Sequence, residues 1–534
     1  MIFLVVFTFK SFRGGIMRSL LTTSDRRRLE LIELLLEAND WMTIEQVAEQ
    51  LDSSVRNIKE DITYFRKHFP EIGIETGQYR MRIMMDHSIG IQEAYRLILK
   101  ETLIFQLLEE IFFIETYSIE DLAGVLHTSK STVYRSIEAI NSYFSNVGCQ
   151  VETNPCRFVG NERFIRNFYR TYFKEKSTIL EWPFRHYDEQ TLNANFNRIL
   201  AIVEKSGAVK TEDIDFAFYE SIKLVIIVNV IRYQNGHLVD TDNEETFLFK
   251  LIFNAVKLLF LPKNMTGING IPITTEYIYQ IMYPYLKKGN AFSLKELDKL
   301  RTRENHIDTA LTHLTTSLTA LSKVIDIDVD PTSLMIPLYG TVHIEDDDPN
   351  GMYILYNRNK MFNQAINHQF PFVYRELYEA MVEFRRLLKL EDNEDKVNYL
   401  VYILFTNWEN LLLDLYTKYR HTSVLILSDG HYSHANMLKN LLSFELSPNI
   451  RIDTYESHLL SQEILDELDY DLIISTFKLP PMTDTFNLVI KHYLSSKDIH
   501  RIETVLNRII KGKNSFDDAN NLESPVTTPL KGEL

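Results

Sequence analysis

Two stretches of the chain carry short hydroxyl, amide and basic side chains at the spacing of a helix surface. Such groups donate hydrogen bonds to phosphate oxygens, and arginine, lysine and asparagine also reach base edges. The first stretch presents Ser53, Ser54, Arg56, Asn57 and Lys59. The second stretch presents Thr128, Ser129, Lys130, Ser131, Thr132, Tyr134 and Arg135. These residue types favour contact with a nucleic-acid duplex, mainly through its phosphates.

The two stretches belong to a sequence repeat. Residues 43–65 align with residues 118–140 without a gap, at a constant offset of 75 positions. The copies share a helix-capping residue, Thr43 or Ser118, and apolar positions that fall on one helix face. Two short helices joined by a polar turn are typical of a helix-turn-helix, whose second helix enters the major groove of DNA. One copy alone could be an ordinary helical hairpin, and the repetition favours the DNA-binding interpretation.

A β-hairpin is predicted after each copy, with turns at residues 76–77 and 154–155. The same offset continues through the hairpins and pairs Ile72 with Val147, Gly73 with Gly148, and Arg82 with Arg157. Each unit is therefore predicted to be a winged helix-turn-helix module. The hairpin arginines that complete the predicted DNA-contacting set are Arg80, Arg82 and Arg157.

Composition limits how DNA could be bound. The chain has 534 residues, which suggests about three to five domains. Its formal net charge is −16, so the protein as a whole repels nucleic acid and any DNA contact must come from local patches. The two cysteines, Cys149 and Cys156, exclude a disulfide framework and are too few for a zinc site. Both are predicted to be core residues of the second wing.

The first residues of the chain do not have the pattern of a signal peptide. Residues 2–9 are apolar but too short to span a bilayer, and they lack the basic region and cleavage site of a signal peptide. Met17 is an alternative start to Met1, and residues 513–534 are predicted to be disordered. We therefore expect a cytoplasmic protein without a membrane segment.

Helical patterns dominate the rest of the chain. Residues 24–38 are predicted to form the first helix, with Ser24 as its N-cap, and residues 91–115 one long helix that joins the modules. Further helices are predicted at residues 294–321, 374–390 and 397–416. A basic helix after the second wing either touches phosphate or is simply exposed; it carries Arg163, Arg166, Arg170, Lys174 and Lys176.

The pattern changes again after residue 421. Apolar strands at residues 424–428, 450–455 and 471–476 alternate with helices, which predicts a small doubly wound sheet with its ligand-binding edge after the first strand. The fold class is mainly α and multidomain. The predicted domains are an extension (1–23), two winged modules (24–88 and 89–160), two helical bundles (161–290 and 291–420), an α/β domain (421–512) and a tail (513–534).

This order of parts resembles the Mga-like and AtxA-like virulence regulators of Gram-positive bacteria, close to the enterococcal members, over residues 24–511. The resemblance implies that the helical bundles are similar to phosphotransferase-system regulation domains (PRDs). It also implies that the last domain is similar to the EIIB component of a sugar phosphotransferase. The family further suggests a homodimer or higher oligomer.

The family resemblance singles out two positions that concern chemistry. The segment RYQNGH, residues 232–237, resembles the family segment that bears a regulatory histidine, so His237 is the phosphoacceptor candidate, with a surface histidine as the alternative. In the second bundle the choice stays open among His306, His313, His343 and His368. Ser428 occupies the position where EIIB domains carry a reactive cysteine, which favours a role in assembly or sensing over catalysis. His431 and His434 lie nearby and keep catalysis open.

The sequence thus predicts a transcriptional regulator that binds double-stranded DNA through both winged modules. DNA shape and backbone contacts should contribute strongly. We expect it to link carbohydrate and phosphotransferase status to gene expression, with phosphocarrier proteins as further partners. No enzymatic activity, cofactor or metal is expected. The alternative is a phosphotransfer or sensor protein that uses the PRD-like and EIIB-like parts.

Overall fold

The computed structural model describes residues 16–509 except for 39, 86–89, 179, 206–215, 241–249, 251, 255–273, 288, 346–352, 392, 420–421, 447–449, 481, 483–484 and 507–508. The chain divides into two units. The first consists of the chain up to residue 315 with residues 332–364 and 378–404, and the second of residues 316–331, 365–377 and 405 onward. The predicted tail lies outside the described residues.

The first module is a three-helix unit with a small antiparallel sheet. Its elements are α1 (Thr23–Ala38), β1 (Met42–Thr43), α2 (Ile44–Gln50), α3 (Val55–His68), β2 (Ile72–Thr76) and β3 (Arg80–Met85), with strand order β1-β3-β2. Apolar residues of all three helices and both wing strands form one core. The predicted cap of α1 was wrong, because Thr22 Oγ1, not Ser24, accepts the backbone N–H of Asp25 at 3.1 Å.

The second module repeats this plan. Its elements are α4 (Ile91–Glu101), α5 (Leu103–Phe113), α6 (Ile119–Val125), α7 (Lys130–Phe144), β4 (Cys149–Thr153) and β5 (Cys156–Gly160). The single helix predicted over residues 91–115 was wrong. Thr102 takes an extended conformation, φ −77° and ψ 119°, and its hydroxyl donates to the Ile98 carbonyl, so the α-helical ladder ends there.

The offset of 75 positions between the two modules does not hold throughout their wings. Cross-strand partners are Thr76 with Met81 in the first wing and Thr153 with Cys156 in the second, so the first wing has the longer loop. A short 3-10 turn, Ser145–Val147, delays the start of β4 by the same two residues. The predicted pairing of Gly73 with Gly148 was therefore wrong: Gly73 lies within β2, whereas Gly148 precedes β4 with φ +69°.

Both cysteines lie in the core of the second wing as predicted. Cys149 and Cys156 are buried free thiols. Burial raises the pKa of Cys149 to about 11. The thiols are therefore protonated packing residues at neutral pH.

Helices continue after the second wing. Within the described residues they are α8 (Glu162–Lys176), α9 (Glu189–Lys205), α10 (Phe216–Gln234), α11 (Thr275–Leu286), α12 (Leu294–Arg303), α13 (Asn305–Ile325), α14 (Pro331–Glu345), α15 (Arg358–Gln369), α16 (Pro371–Leu387), α17 (Glu394–Asn407) and α18 (Leu411–Tyr419). The helices predicted at residues 294–321 and 397–416 are each two helices. Glu304 leaves the helical conformation between the first two, and Asn410 takes φ +59° between the second two.

The basic helix is not the exposed surface that the sequence predicted. On α8, Arg166 and Arg170 are buried, and Lys176 forms an ion pair with the buried Glu109. Aromatic residues of the same helix pack against α5, for example Tyr169 on Phe112 with ring centroids 4.3 Å apart. Burial of this face turns Arg166 and Lys176 toward the carboxylates of Glu162 and Glu109, whereas Lys174 is exposed.

The C-terminal region contains a four-stranded parallel sheet. Its elements are β6 (Thr422–Leu427), α19 (Tyr432–Glu445), β7 (Ile450–Thr454), α20 (Gln462–Asp466), β8 (Leu472–Ser475) and β9 (Phe486–Val489). The strand order is β7-β6-β8-β9, and residues 496–506 are helical. The predicted strand and helix alternation is present, and β9 is an additional strand. Throughout the described chain, no helix combines the length and apolar character needed to cross a membrane.

Candidate nucleic-acid interface

The helix α3 presents its predicted contact residues outward because its other face is buried. Ile58, Ile62 and Phe65 lie in the core of the first module. Ser54 caps the helix by accepting the Asn57 N–H at 3.1 Å. This cap fixes the beginning of the helix, and the face opposite the core carries Ser54, Arg56, Lys59 and Thr63, all exposed, with Ser53 and Asn57 half-buried.

The helix α7 is built in the same way. Ser129 caps it by accepting the Thr132 N–H at 3.2 Å. Val133, Ile137 and Ile140 are buried beneath it. The outward residues Ser129, Lys130, Ser131, Tyr134 and Arg135 are exposed, and Thr128 and Thr132 are half-buried. Both predicted recognition surfaces therefore face solvent in the first structural unit.

Four of the predicted basic contacts form surface ion pairs. The pairs are Arg56–Glu60 at 2.9 Å, Lys130–Glu120 at 2.9 Å, Arg82–Glu75 at 2.8 Å and Arg157–Glu152 at 2.6 Å. Solvent-exposed pairs of this kind contribute only about 0–1 kcal/mol. A DNA phosphate can therefore replace the carboxylate at little cost, although the nearby acids weaken the local positive potential.

The tip of the first wing carries groups that the sequence patterns did not single out. Tyr79 is 68% exposed, next to the predicted contact Arg80, which is also exposed. Behind them the Arg82 guanidinium lies 4.7 Å from the Trp41 ring centroid. The exposed aromatic beside an arginine could have been found by looking for aromatic residues in the loop between the two wing strands.

His237 belongs to a partly buried ionic cluster. Its Nε2 lies 2.7 Å from a carboxylate oxygen of Glu115, and its side chain is 16% exposed. Arg232 binds the same Glu115 at 2.8 Å and Glu162 at 2.7 Å. Arg166 also binds Glu162, at 2.8 Å, and donates to the His237 carbonyl at 2.9 Å. His237 is therefore a partly buried histidine that follows the turn at residues 235–236 and is paired with a carboxylate.

The cluster connects two parts of the first unit. Glu115 lies in the loop between α5 and α6, directly before the first helix-turn-helix helix of the second module. Arg232 lies in the last turn of α10, and His237 lies three residues after the end of this helix. A change of charge at His237 would therefore act on a residue that leads into a DNA-binding module.

Ser428 follows the first parallel strand and contacts a histidine. Its Oγ lies 2.7 Å from His434 Nδ1, and His434 Nε2 lies 2.6 Å from the His492 carbonyl oxygen. A carbonyl oxygen can only accept, so Nε2 carries the proton and Nδ1 accepts the Ser428 hydroxyl. The Gly430 N–H donates to the same Oγ at 3.0 Å. Among the described residues, no three histidine, cysteine, aspartate or glutamate side chains form a metal-binding group.

Models of known domain families match three segments of this chain. The Mga helix-turn-helix domain matches residues 87–173, and the helix-turn-helix domain of the M protein trans-acting positive regulator matches residues 22–76. The PRD domain of the same regulator matches residues 202–411. The matched segments contain the three helices and strand β2 of the first module, the whole of the second module, and the last turn of α10 with His237.

Similar proteins occur in two bacterial species. A Streptococcus pneumoniae serotype 4 protein, whose name proposes a trans-acting regulator, is 25% identical over 501 residues, 92% of this chain and 97% of its own. The anthrax toxin expression trans-acting positive regulator of Bacillus anthracis is 19% identical over 495 residues, 90% of this chain and 98% of its own. The B. anthracis capsule synthesis positive regulator AcpA is 24% identical over 250 residues, 45% of this chain and 50% of its own.

Proposed function

Because this chain belongs to the Mga-like and AtxA-like family of trans-acting regulators, we propose that it regulates transcription by binding double-stranded DNA through both of its winged modules. The observation that carries this function is the pair of capped, solvent-facing helices α3 and α7 on repeated frameworks. Binding rather than catalysis is the proposed mode of action. The cytoplasm is the proposed location, since bacterial DNA lies there.

Phosphate contacts and DNA shape supply most of the proposed affinity. The two recognition helices present many hydroxyl groups, which suit phosphate oxygens, and few side chains that read a base bidentately. On α3 the strongest base readers are Arg56 and Asn57, and on α7 they are Lys130 and Arg135. Such a surface selects sequence partly through groove width and deformability.

Replacing cations on each recognition helix tests this function. Arg56→Ala with Lys59→Ala, and separately Lys130→Ala with Arg135→Ala, should each weaken binding. Each pair should also reduce the salt dependence of log K, because it removes two positive charges from the DNA-facing surface. The measurement is the dissociation constant for duplex DNA at several salt concentrations between about 50 and 200 mM. If neither double variant changed DNA binding, the assignment of these surfaces as DNA contacts would be wrong.

The helical region is proposed to regulate this binding, with His237 as a phosphoacceptor for phosphocarrier proteins of the sugar phosphotransferase system. Glu115 accepts a hydrogen bond from His237 Nε2, which leaves the lone pair of the neutral imidazole on Nδ1. Nδ1 is therefore the proposed nucleophile. A phosphoryl group adds about −1.5 to −2 charge near Glu115, and repulsion would loosen the contact with the second module.

Phosphorylation with phosphoenolpyruvate and the general phosphocarrier proteins tests this regulation. We expect acid-labile label on the wild type and its loss in His237→Ala. Glu115→Gln keeps a hydrogen-bond acceptor but removes the charge, so it should retain label while DNA binding responds less to it. Full label on His237→Ala would exclude His237 as the sole acceptor.

The polarised Ser428 hydroxyl favours a second candidate function, a phosphotransfer protein with an EIIB-like C-terminal domain. His434 Nδ1 is placed to take the serine proton as a general base. The same labelling reaction separates the candidates, because phosphoserine survives acid and phosphohistidine does not. Acid-stable label that disappears in Ser428→Ala would support the phosphotransfer function.

The regulator is proposed to act as a homodimer or higher oligomer, as its family resemblance suggests, with the EIIB-like sheet as the assembly part. Sedimentation of the full chain over a range of protein concentrations tests this. A mass of at least two chains at micromolar concentration is expected, and a monomer under DNA-binding conditions would contradict it.

A further inference from the structure

Three consecutive arginines in α1 have different environments. Arg27 and Arg28 both bind the buried carboxylate of Asp61, at 2.6 and 3.1 Å. The Arg28 guanidinium also lies 3.5 Å from the ring centroid of Tyr64. These two side chains hold α1 against α3. Arg26 is exposed and takes no part in this network.

Arg26 instead borders a cleft of about 470 Å³ between α1 and the helix-turn-helix turn. Its lining includes Glu30, Asp52, Ser53, Ser54 and Asn57. Three of these, Ser53, Ser54 and Asn57, already belong to the predicted DNA-contacting set. The cleft therefore brings a positive charge from α1 beside hydroxyl and amide groups at the beginning of the recognition helix α3.

We propose that this cleft binds a phosphate of the DNA backbone, with Arg26 as the charged contact and Ser53 as a hydroxyl donor. The inference rests on the proposed DNA-binding function and adds a contact residue outside the helix-turn-helix repeat. An arginine suits this role because its guanidinium stays charged and donates several hydrogen bonds to phosphate oxygens. The contact fixes the position of α3 on the duplex without reading sequence.

The second module has no equivalent of this charge. Both first helices bury a glutamate, Glu33 in α1 and Glu109 in α5. When Glu33 is aligned with Glu109, the buried Leu29 aligns with Phe105, and Arg26 aligns with Thr102. Thr102 is uncharged and 3% exposed, and it lies between α4 and α5. The second module therefore has no cation at the position that aligns with Arg26.

Two carboxylates at the cleft oppose phosphate binding and provide a second test. Glu30 and Asp52 line it together with Arg26. Asp52 has φ +47°, a conformation that asparagine also tolerates. Asp52→Asn should therefore preserve the turn and remove one repulsive charge. Its expected effect on DNA binding is opposite in sign to that of Arg26→Ala.

The experiment measures binding of the full chain to a random-sequence duplex at several salt concentrations, since a backbone contact does not depend on sequence. Arg26→Ala should weaken binding about threefold to tenfold and reduce the slope of log K against log salt by about 0.9. Arg26→Lys should restore the slope. Asp52→Asn should tighten binding at low salt. Lys497→Ala, the same charge change at an exposed site after the C-terminal sheet, should leave the slope unchanged.

The outcomes separate this inference from the function on which it rests. A wild-type slope in Arg26→Ala would overturn the phosphate cleft while leaving DNA binding intact. An equal change in Lys497→Ala would assign the effect to net charge and also overturn the cleft. Wild-type protein that binds no duplex at low salt would overturn the proposed function itself.

Discussion

Buried charges are where single residues matter most in this protein. The cluster at the end of α10 places Arg232, fully buried, between the carboxylates of Glu115 and Glu162. Desolvation of such groups is costly, so the pairs add little net stability, but removal of one partner leaves a buried charge uncompensated. Replacing one residue of this cluster should therefore cost much more stability than replacing one residue of an exposed ion pair.

Arg232→Met tests this constraint. The variant should lower the free energy of unfolding by about 3–5 kcal/mol, because Glu162 and Glu115 lose their shared cation. Arg301→Ala, which removes an ion pair to the exposed Asp308, is the matched control and should cost no more than about 1 kcal/mol. Urea unfolding followed by tryptophan fluorescence measures both. Equal losses in the two variants would contradict the buried-cluster argument.

The same cluster should make stability depend on acidity. Burial alone would raise the pKa of Glu162, but the hydrogen bonds and charges of Arg232 and Arg166 outweigh it and lower that pKa. A lowered carboxyl pKa stabilises the fold above its unfolded value, about 4.3, and this contribution is lost as pH falls through the folded value.

Glu162→Gln provides the measurement. The wild type should lose stability below about pH 4.3 with a steeper slope than the variant, because the glutamine side chain of the variant takes up no proton. Urea midpoints between about pH 3 and 7 give the two slopes. At neutral pH the variant should be less stable, since Arg166 and Arg232 lose a counter-charge. Superimposable pH profiles would show that Glu162 does not titrate in this way.

At the scale of elements, the second module contains two glycines with opposite requirements. Gly160 ends β5 with φ +132°, and a Cβ there would lie 2.1 Å from the Gly148 carbonyl oxygen. Gly124 lies inside α6, and a Cβ there would meet nothing within 4 Å. The backbone of the wing needs its glycine, whereas that of the helix does not.

Alanine substitution of both glycines tests the element argument. Gly160→Ala should destabilise the module by at least about 1–3 kcal/mol, because strain and a clash add up. Gly124→Ala should stabilise it by about 0.4–1 kcal/mol, by reducing the freedom of the unfolded chain. Thermal unfolding of the full chain reports both signs. A stable Gly160→Ala protein with an unchanged wing would refute the close approach of β4 and β5.

At the scale of the whole molecule, charge sets the limit on DNA binding. A net charge of −16 opposes a polyanion, and each recognition surface has an acid beside a predicted contact. Glu60 on α3 pairs with Arg56, and Glu120 on the preceding helix α6 pairs with Lys130. Local patches must therefore overcome both the field of the molecule and their own neighbours. Such binding is expected to fall steeply with salt.

Neutralising the two acids separates local from global charge. Glu60→Gln with Glu120→Gln should tighten DNA binding several-fold at low salt, about 1 kcal/mol, and the gain should shrink as salt screens it. Glu467→Gln with Asp469→Asn changes net charge equally at exposed positions before β8 and is the control. Equal gains from both double variants would assign the effect to net charge alone.

The sequence by itself determined the repeated helix-turn-helix framework, the capping of α2, α3, α6 and α7, and the alternation that forms the parallel sheet. These features depend on residues close together in the chain, where capping and hydrophobic period act. The predicted contact residues of α3 and α7 follow from the same periodicity, because burying one helix face turns the other outward.

Only the tertiary structure decided which charges remain available. His237 meets Glu115 across 122 positions of sequence, and Asp61 takes two of the three arginines of α1 and leaves Arg26 at the cleft. Local sequence patterns likewise did not predict that α8 buries basic residues, or that the alignment of the two wings shifts by two residues. The physical reason is that desolvation and charge pairing depend on neighbours in space, and these are set by how the helices pack.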